Sequence, residues 1–161
     1  MLTSLADFAR YFESVRGRTL SFIQAVPADQ IDFAPRPGKF SFGDLIRHIA
    51  ATERMFVDGV LDGHWRYPGH ARELGPTKEE AVDHLVRTHA EAMARLQAAD
   101  PGVLKMRRTT PFGMTVSAWR LLMTMAEHEI HHRSQIGQYL VLLGMEPPQV
   151  FGRKLEELLQ Q

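Results

Sequence analysis

The stretch Glu127-His128-Glu129-Ile130-His131-His132-Arg133-Ser134-Gln135 lies inside a long helical pattern and sets the reading of the whole chain. His128 and His132 are four apart, so they stand one turn apart on one helix face, separated by roughly 6 Å of rise. With Leu121 placed at zero and about 100° allotted per residue, His128 falls at about 340° and His132 at about 20°. Met125, Ile136, Tyr139 and Leu143 fall between about 0° and 60° on the same wheel. The pair therefore occupies the centre of an apolar stripe. His131 falls at about 280°, on the flank with Thr124 and Gln135. One core imidazole is readily satisfied by hydrogen bonds. Two on one core face each cost free energy unless partnered, and a shared metal ion partners both.

Three further helices precede this one. Leu2, Leu5, Phe8, Phe12, Val15, Thr19, Ile23 and Val26 form one apolar stripe at alternating three and four spacing, and Pro27 ends it. After the turn-rich Pro35-Arg36-Pro37-Gly38, a second helix begins at Ser41 with Asp44 as its capping partner and runs to about Leu61, where Gly63 stops it. The loop from Gly63 to Pro76 carries His64, Trp65, Tyr67 and His70. A third helix starts at Thr77, with Glu80 in capping-box position, and runs to about Ala98. Val103 to Val116 contains Pro111-Phe112-Gly113 and reads as a loop or a short hairpin. Ser117 caps the histidine helix, which ends at Gly144; Pro147-Pro148 and a short amphipathic tail, Arg153 to Leu159, follow. Four helices without a strong strand signal predict an all-α four-helix bundle with a short C-terminal helical tail, a single domain over 1–161.

A bundle builds metal sites from facing helices, so a third ligand is expected elsewhere. His48 fits: with Leu45 at zero it falls at about 300°, beside Thr52 and Met55 at the border of the stripe of the second helix. His84 and His89 are five apart and cannot share a site; each is expected at the surface or boundary of the third helix. His64 and His70 are expected to be solvated loop residues, with the less favoured alternative that a loop histidine reaches the open metal position. Three neutral imidazoles favour Zn, Ni, Cu or Fe over Mg or Ca, and three protein ligands leave a position open for water or substrate.

Composition narrows the function classes. The 161 residues hold 19 Lys plus Arg against 19 Asp plus Glu, so no global field draws the chain to nucleic acid or an acidic membrane. Lys105, Arg107 and Arg108 form one small basic cluster, expected to be a solvated loop. The chain has no cysteine, which excludes disulfides, a thiolate zinc site and a cysteine nucleophile. No basic n-region with an apolar run opens the sequence and no apolar stretch approaches a membrane span. A cytoplasmic protein is the expectation.

Several separate segments resemble one family. Pro35-Arg36-Pro37-Gly38-Lys39-Phe40-Ser41 with Asp44-Leu45-Ile46-Arg47-His48-Ile49, then Glu53, Pro111-Phe112-Gly113, His128 to Ile136, and Leu143-Gly144-Met145-Glu146-Pro147-Pro148 follow the order and spacing of the DinB-like superfamily. This is the damage-inducible and YfiT-like group of metal-dependent proteins, unrelated to the polymerase of similar name. The resemblance implies a four-helix bundle with a divalent metal held by His48, His128 and His132, Zn or Ni first and Fe or Mn after them. It also implies a homodimer, a stress-response setting, and a small-molecule substrate with a low-molecular-weight thiol as co-substrate in some members. Ser134 departs from the pattern, standing where many members have Gly.

Three other readings compete. A non-catalytic metal or small-ligand binding protein would use the same bundle, and a structural dimer would carry the site as a relic. His128-Glu129-Ile130-His131-His132 also matches H-E-x-x-H, in which Glu129 would be the general base of a metalloprotease. The metzincin extension needs Gly at position 135 and His at 138, both Gln here. Glu156 or Glu157 would be the remaining candidates for a third zincin ligand. Glu129 lies about 60° to 100° off the ligand direction, so a supporting role behind the ligands is expected. The ferritin-like element Glu129-x-x-His132 lacks its required second copy.

Overall fold

The computed structural model describes residues 4–152. It contains α1 (Leu5–Gln24), α2 (Phe42–Asp62), α3 (Lys78–Ala98), a hairpin of β1 (Arg107–Thr109) and β2 (Thr115–Ser117), and α4 (Ala118–Leu142), with three short 3-10 turns in the connections. The bundle expected from periodicity is present. The tail from Arg153 to Leu159, Leu2, and the alternative ligands Glu156 and Glu157 lie outside the described residues.

Helix ends follow local chemistry. Ser41 and Asp44 satisfy each other's backbone N–H groups at 2.9 and 3.1 Å, and Thr77 and Glu80 do the same at 3.1 and 3.2 Å. Ser117 accepts the amide of Arg120 at 3.3 Å. Gly63 ends α2 with φ 73°, a left-handed position that costs a side-chain-bearing residue strain. One boundary differs from expectation. Ser4 caps α1 by accepting the amide of Asp7 at 3.0 Å, although the apolar stripe of the sequence begins at Leu2. The same helix stops at Gln24, ahead of Pro27, which has no backbone N–H to continue the ladder.

Packing assigns the helix directions. α2 packs on α3 and α4, and α1 on α4 and α3, leaving α1–α2 and α3–α4 as diagonals. His89 meets Glu53 while Arg95 meets Asp58 and Asp62, so α2 and α3 run parallel. His48 faces His132 while Thr52 faces His128, so α2 and α4 are antiparallel. The parallel α2–α3 pair has a consequence for the site. The connection 63–77 must travel back along a helix about 31 Å long to start α3 at the far end. Arg47, almost fully buried, anchors that return: it donates to the carbonyls of His70 at 3.1 Å and Gly75 at 2.7 Å and to Asp44 at 2.8 Å.

The core is in two parts. One apolar cluster gathers around Phe8, Phe12, Val57 and Leu122, the other around Phe42, Ile46, Leu85 and Ile136. Between them lies a polar layer to which all four helices contribute: Arg16, Glu53, His89 and Glu129 inside, and the three predicted ligand histidines at one face.

Candidate metal centre

α2 and α4 bring His48, His128 and His132 together, with one nitrogen of each within 4.8 Å of the others. The contacts are made by Nε2 atoms. That of His128 lies 3.2 Å from Nε2 of His48 and 3.0 Å from Nε2 of His132. Nitrogens bound to one Zn ion at about 2.0–2.1 Å stand about 3.3–3.4 Å apart in tetrahedral geometry and about 2.9 Å apart at right angles. The observed spacings fall in that interval, so the donor set fits a small divalent ion.

The opposite ring nitrogens have partners that suit a proton on each Nδ1. Thr52 gives its hydroxyl proton to the carbonyl of His48 at 2.7 Å, which leaves its oxygen to accept Nδ1–H of His128 at 3.3 Å. Gln135 Oε1 accepts from Nδ1 of His132 at 2.7 Å. Nδ1 of His48 is 2.8 Å from the Tyr67 hydroxyl, which is 2.6 Å from Nδ1 of His70. A proton on Nδ1 of each ligand turns the three Nε2 lone pairs toward one another, an arrangement that a cation stabilises.

Burial makes the imidazoles poor proton acceptors. It lowers His48 to about 4, helped by the charges of His132 and His70, and lowers His128 to about 3, helped by His132, His48 and His131. His132 is lowered too, by burial first. Tyr67 is pushed up to about 12, by burial and then Asp44, so its phenol stays protonated. The unfolded chain, with histidines near 6.5, therefore binds more protons than the folded metal-free chain below that pH. Stability of the metal-free protein is expected to fall as pH drops from about 6.5 toward 4. In His128→Ala the fall should be shallower. Thermal melts of both proteins across this range check it, and equal slopes would mean that His128 does not supply the effect.

The loop histidines divide. His64 is exposed, as expected, whereas His70 is half-buried and reaches the site through Tyr67. Neither Tyr67 nor His70 was marked by the sequence as a partner of His48, because their position follows from the return path of 63–77. Losing such an outer hydrogen bond typically costs about 10- to 100-fold in metal affinity. Tyr67→Phe is expected to weaken metal binding in that range without changing the fold. A competition titration with a chromophoric chelator reads it, and unchanged affinity would remove Tyr67 from the site.

His89 corrects an expectation. It is 8% exposed, not a surface residue, because Nδ1 meets Glu53 at 2.7 Å and Nε2 lies 3.1 Å from Glu13. His84 is half-buried and His131 exposed. Arg108 is also more than a solvated loop residue: it donates to the carbonyls of Val60 and Leu61 at 2.9 and 2.8 Å and fastens the hairpin to the end of α2. Glu129 points away from the histidines. Arg16, on α1, donates to its two oxygens at 3.1 and 2.8 Å. That removes the general base that a metalloprotease reading requires, and the hairpin strands of three residues each offer little edge for a peptide.

The model of the DinB superfamily matches residues 11–136 of this chain. The uncharacterised protein YjoA of Bacillus subtilis strain 168 is 25% identical over 137 residues, covering 83% of this chain and 87% of YjoA. Its crystal structure superposes with a TM-score of 0.71 at 22% identity over 89% of this chain and 96% of that one. YfiT from Bacillus subtilis, described as a "probable metal-dependent hydrolase with an unusual four-helix bundle topology", superposes with a TM-score of 0.68 at 14% identity, over 88% of this chain and 89% of YfiT. The mycothiol-dependent maleylpyruvate isomerase superposes with a TM-score of 0.54 at 17% identity, over 84% of this chain and 63% of that longer one. Among the described residues, no helix is long and apolar enough to cross a membrane.

Proposed function

Because this chain belongs to the DinB superfamily, we propose that it is a metal-dependent enzyme acting on a small molecule, of the thiol-dependent transferase or hydrolase type. The observation that carries this reading is the convergence of three Nε2 atoms, each backed by a partner on Nδ1. His48, His128 and His132 would hold a divalent transition ion, Zn or Ni first and Fe or Mn after them. Such an ion supplies Lewis acidity at the position left open by only three protein ligands, lowering the pKa of a water or thiol that enters there.

The protein's own groups prepare that position. Tyr67, Thr52 and Gln135 keep a proton on each Nδ1 and hold the rings in place. The Phe40 ring lies tilted 5.1 Å from the His48 ring and Phe56 lies tilted 6.4 Å from the His128 ring, giving the site apolar walls. The chain has no cysteine, so a reacting thiol arrives as co-substrate. The thiol named for the isomerase and the hydrolase description of YfiT support the two reaction types. We take residues 1–161 as one cytoplasmic unit that works as a homodimer, which light scattering of the purified protein tests.

Elemental analysis of purified protein comes first. Conjugation of a low-molecular-weight thiol to an electrophile is then assayed beside ester hydrolysis, with the metal found restored. Turnover lost in His48→Ala supports the proposal. Bound metal without turnover in either assay favours a non-catalytic binding or stress protein.

A further inference from the structure

A cavity lies on the face of α4 turned away from the histidines. It is a half-open cleft of about 320 Å³ between α1, α4 and the segment after α4, lined by Phe22, Ile130, Arg133, Gly137, Pro147 and Val150, with the exposed Ser134 and Gln138 at its rim. Gly137 makes the close approach there possible, since a Cβ would stand 3.0 Å from the Phe22 ring. Arg133 is the unusual member. It is 8% exposed, and its Nη1 is buried with no hydrogen-bond partner. Its charged surroundings do not neutralise it. Arg18 adds a second positive charge from α1, and Glu129, the carboxylate that acts on Arg133 among the described residues, is already bound by Arg16. A buried guanidinium without a counter-ion is costly, and an anion seated against it removes that cost.

We propose that this cavity binds a small monocarboxylate with a short apolar tail, its carboxylate on Arg133 and its tail against Phe22, Ile130, Pro147 and Val150. A guanidinium fork matches a carboxylate, and the surrounding side chains offer an apolar floor in place of the several donors that a phosphate needs. The volume sits at the small end of ligand pockets. Ser134 extends the polar rim beside Arg133, a position where the family resemblance led one to expect Gly. The site is independent of the metal reading, because it lies on the other side of the helix.

The test is a titration of ¹⁵N-labelled full-length protein with hexanoate, followed at Arg133 Nε–H and the Gly137 amide. Saturable shifts at both are expected, in metal-free protein and in His128→Ala alike, with binding about 10- to 100-fold weaker in Arg133→Met. Inorganic phosphate and neutral hexanamide should bind far more weakly than hexanoate. The proposal is overturned if the shifts are absent, if they cluster on His48, His128 and His132, if Arg133→Met binds as well as the parent, or if phosphate matches hexanoate. Shift mapping on the unsubstituted protein decides the matter even if the methionine variant does not fold.

Discussion

Replacing His128 by alanine is expected to reduce bound divalent metal to less than about a tenth of that carried by the parent protein, the tenfold step corresponding to about 1.4 kcal/mol of binding. His128 is the middle imidazole: its Nε2 is the atom common to both short contacts, 3.2 Å to His48 and 3.0 Å to His132. Its removal leaves two nitrogen ligands in place of three. The variant should remain folded, because the apolar clusters above and below the polar layer do not depend on it. A metal that binds only the folded state adds about 2.7 kcal/mol at a hundredfold excess over Kd, so the parent's melting temperature should drop on chelation and that of the variant should not. His84→Ala, on the other side of α2, is the control and should keep full occupancy. Full metal content in His128→Ala, measured by elemental analysis, would show that the ligands lie elsewhere.

The sequence disclosed this triad because two of its members are one turn apart on the same stripe, and the third borders the stripe of a helix whose caps are local signals. Ser41 with Asp44 and Thr77 with Glu80 are read within four residues, and the structure places both as expected. What was hidden depends on helix direction. Nothing near Tyr67 or His70 reveals that α2 and α3 run parallel, so nothing reveals that their connection passes His48. Arg16, on the stripe-bearing first helix, carries no local sign of its partners, and His89 reads as a surface or boundary residue. Their partners are 37, 113 and 36 positions away in sequence. Periodicity assigns a face to a residue, but it does not say which charge waits on the opposite helix.

Arg16 is where the largest loss of stability is expected. Its guanidinium donates to Glu53 at 2.7 Å and to both oxygens of Glu129, and the side chains of all three residues are no more than 3% exposed. The two carboxylates belong to α2 and α4, the helices that present the histidines, and His89 joins Glu53 from α3. Burial disfavours the Arg16 cation, but the charges of Glu53 and Glu129 and their hydrogen bonds outweigh it and hold its pKa above the usual value. Removing one partner of such a group leaves uncompensated charge in the interior, at a cost of about 3–5 kcal/mol. Against a total of roughly 5–15 kcal/mol for a domain, that is enough to populate the unfolded state. Arg16→Met, which keeps the apolar stem, is therefore expected to lower the unfolding free energy of metal-free protein, read from urea melts, by this amount. Adding Glu53→Gln and Glu129→Gln should recover a substantial part, because neutral amides no longer need the cation. A loss below about 1 kcal/mol in Arg16→Met, or no recovery in the triple variant, would mean that the layer is stabilised by packing and not by its charges. Since the histidines share α2 and α4 with these carboxylates, the recovered triple variant is also the protein in which metal affinity separates the two roles of the polar layer. Affinity near the parent's would assign Arg16, Glu53 and Glu129 to holding the helices together, leaving ligand geometry to Tyr67, Thr52 and Gln135.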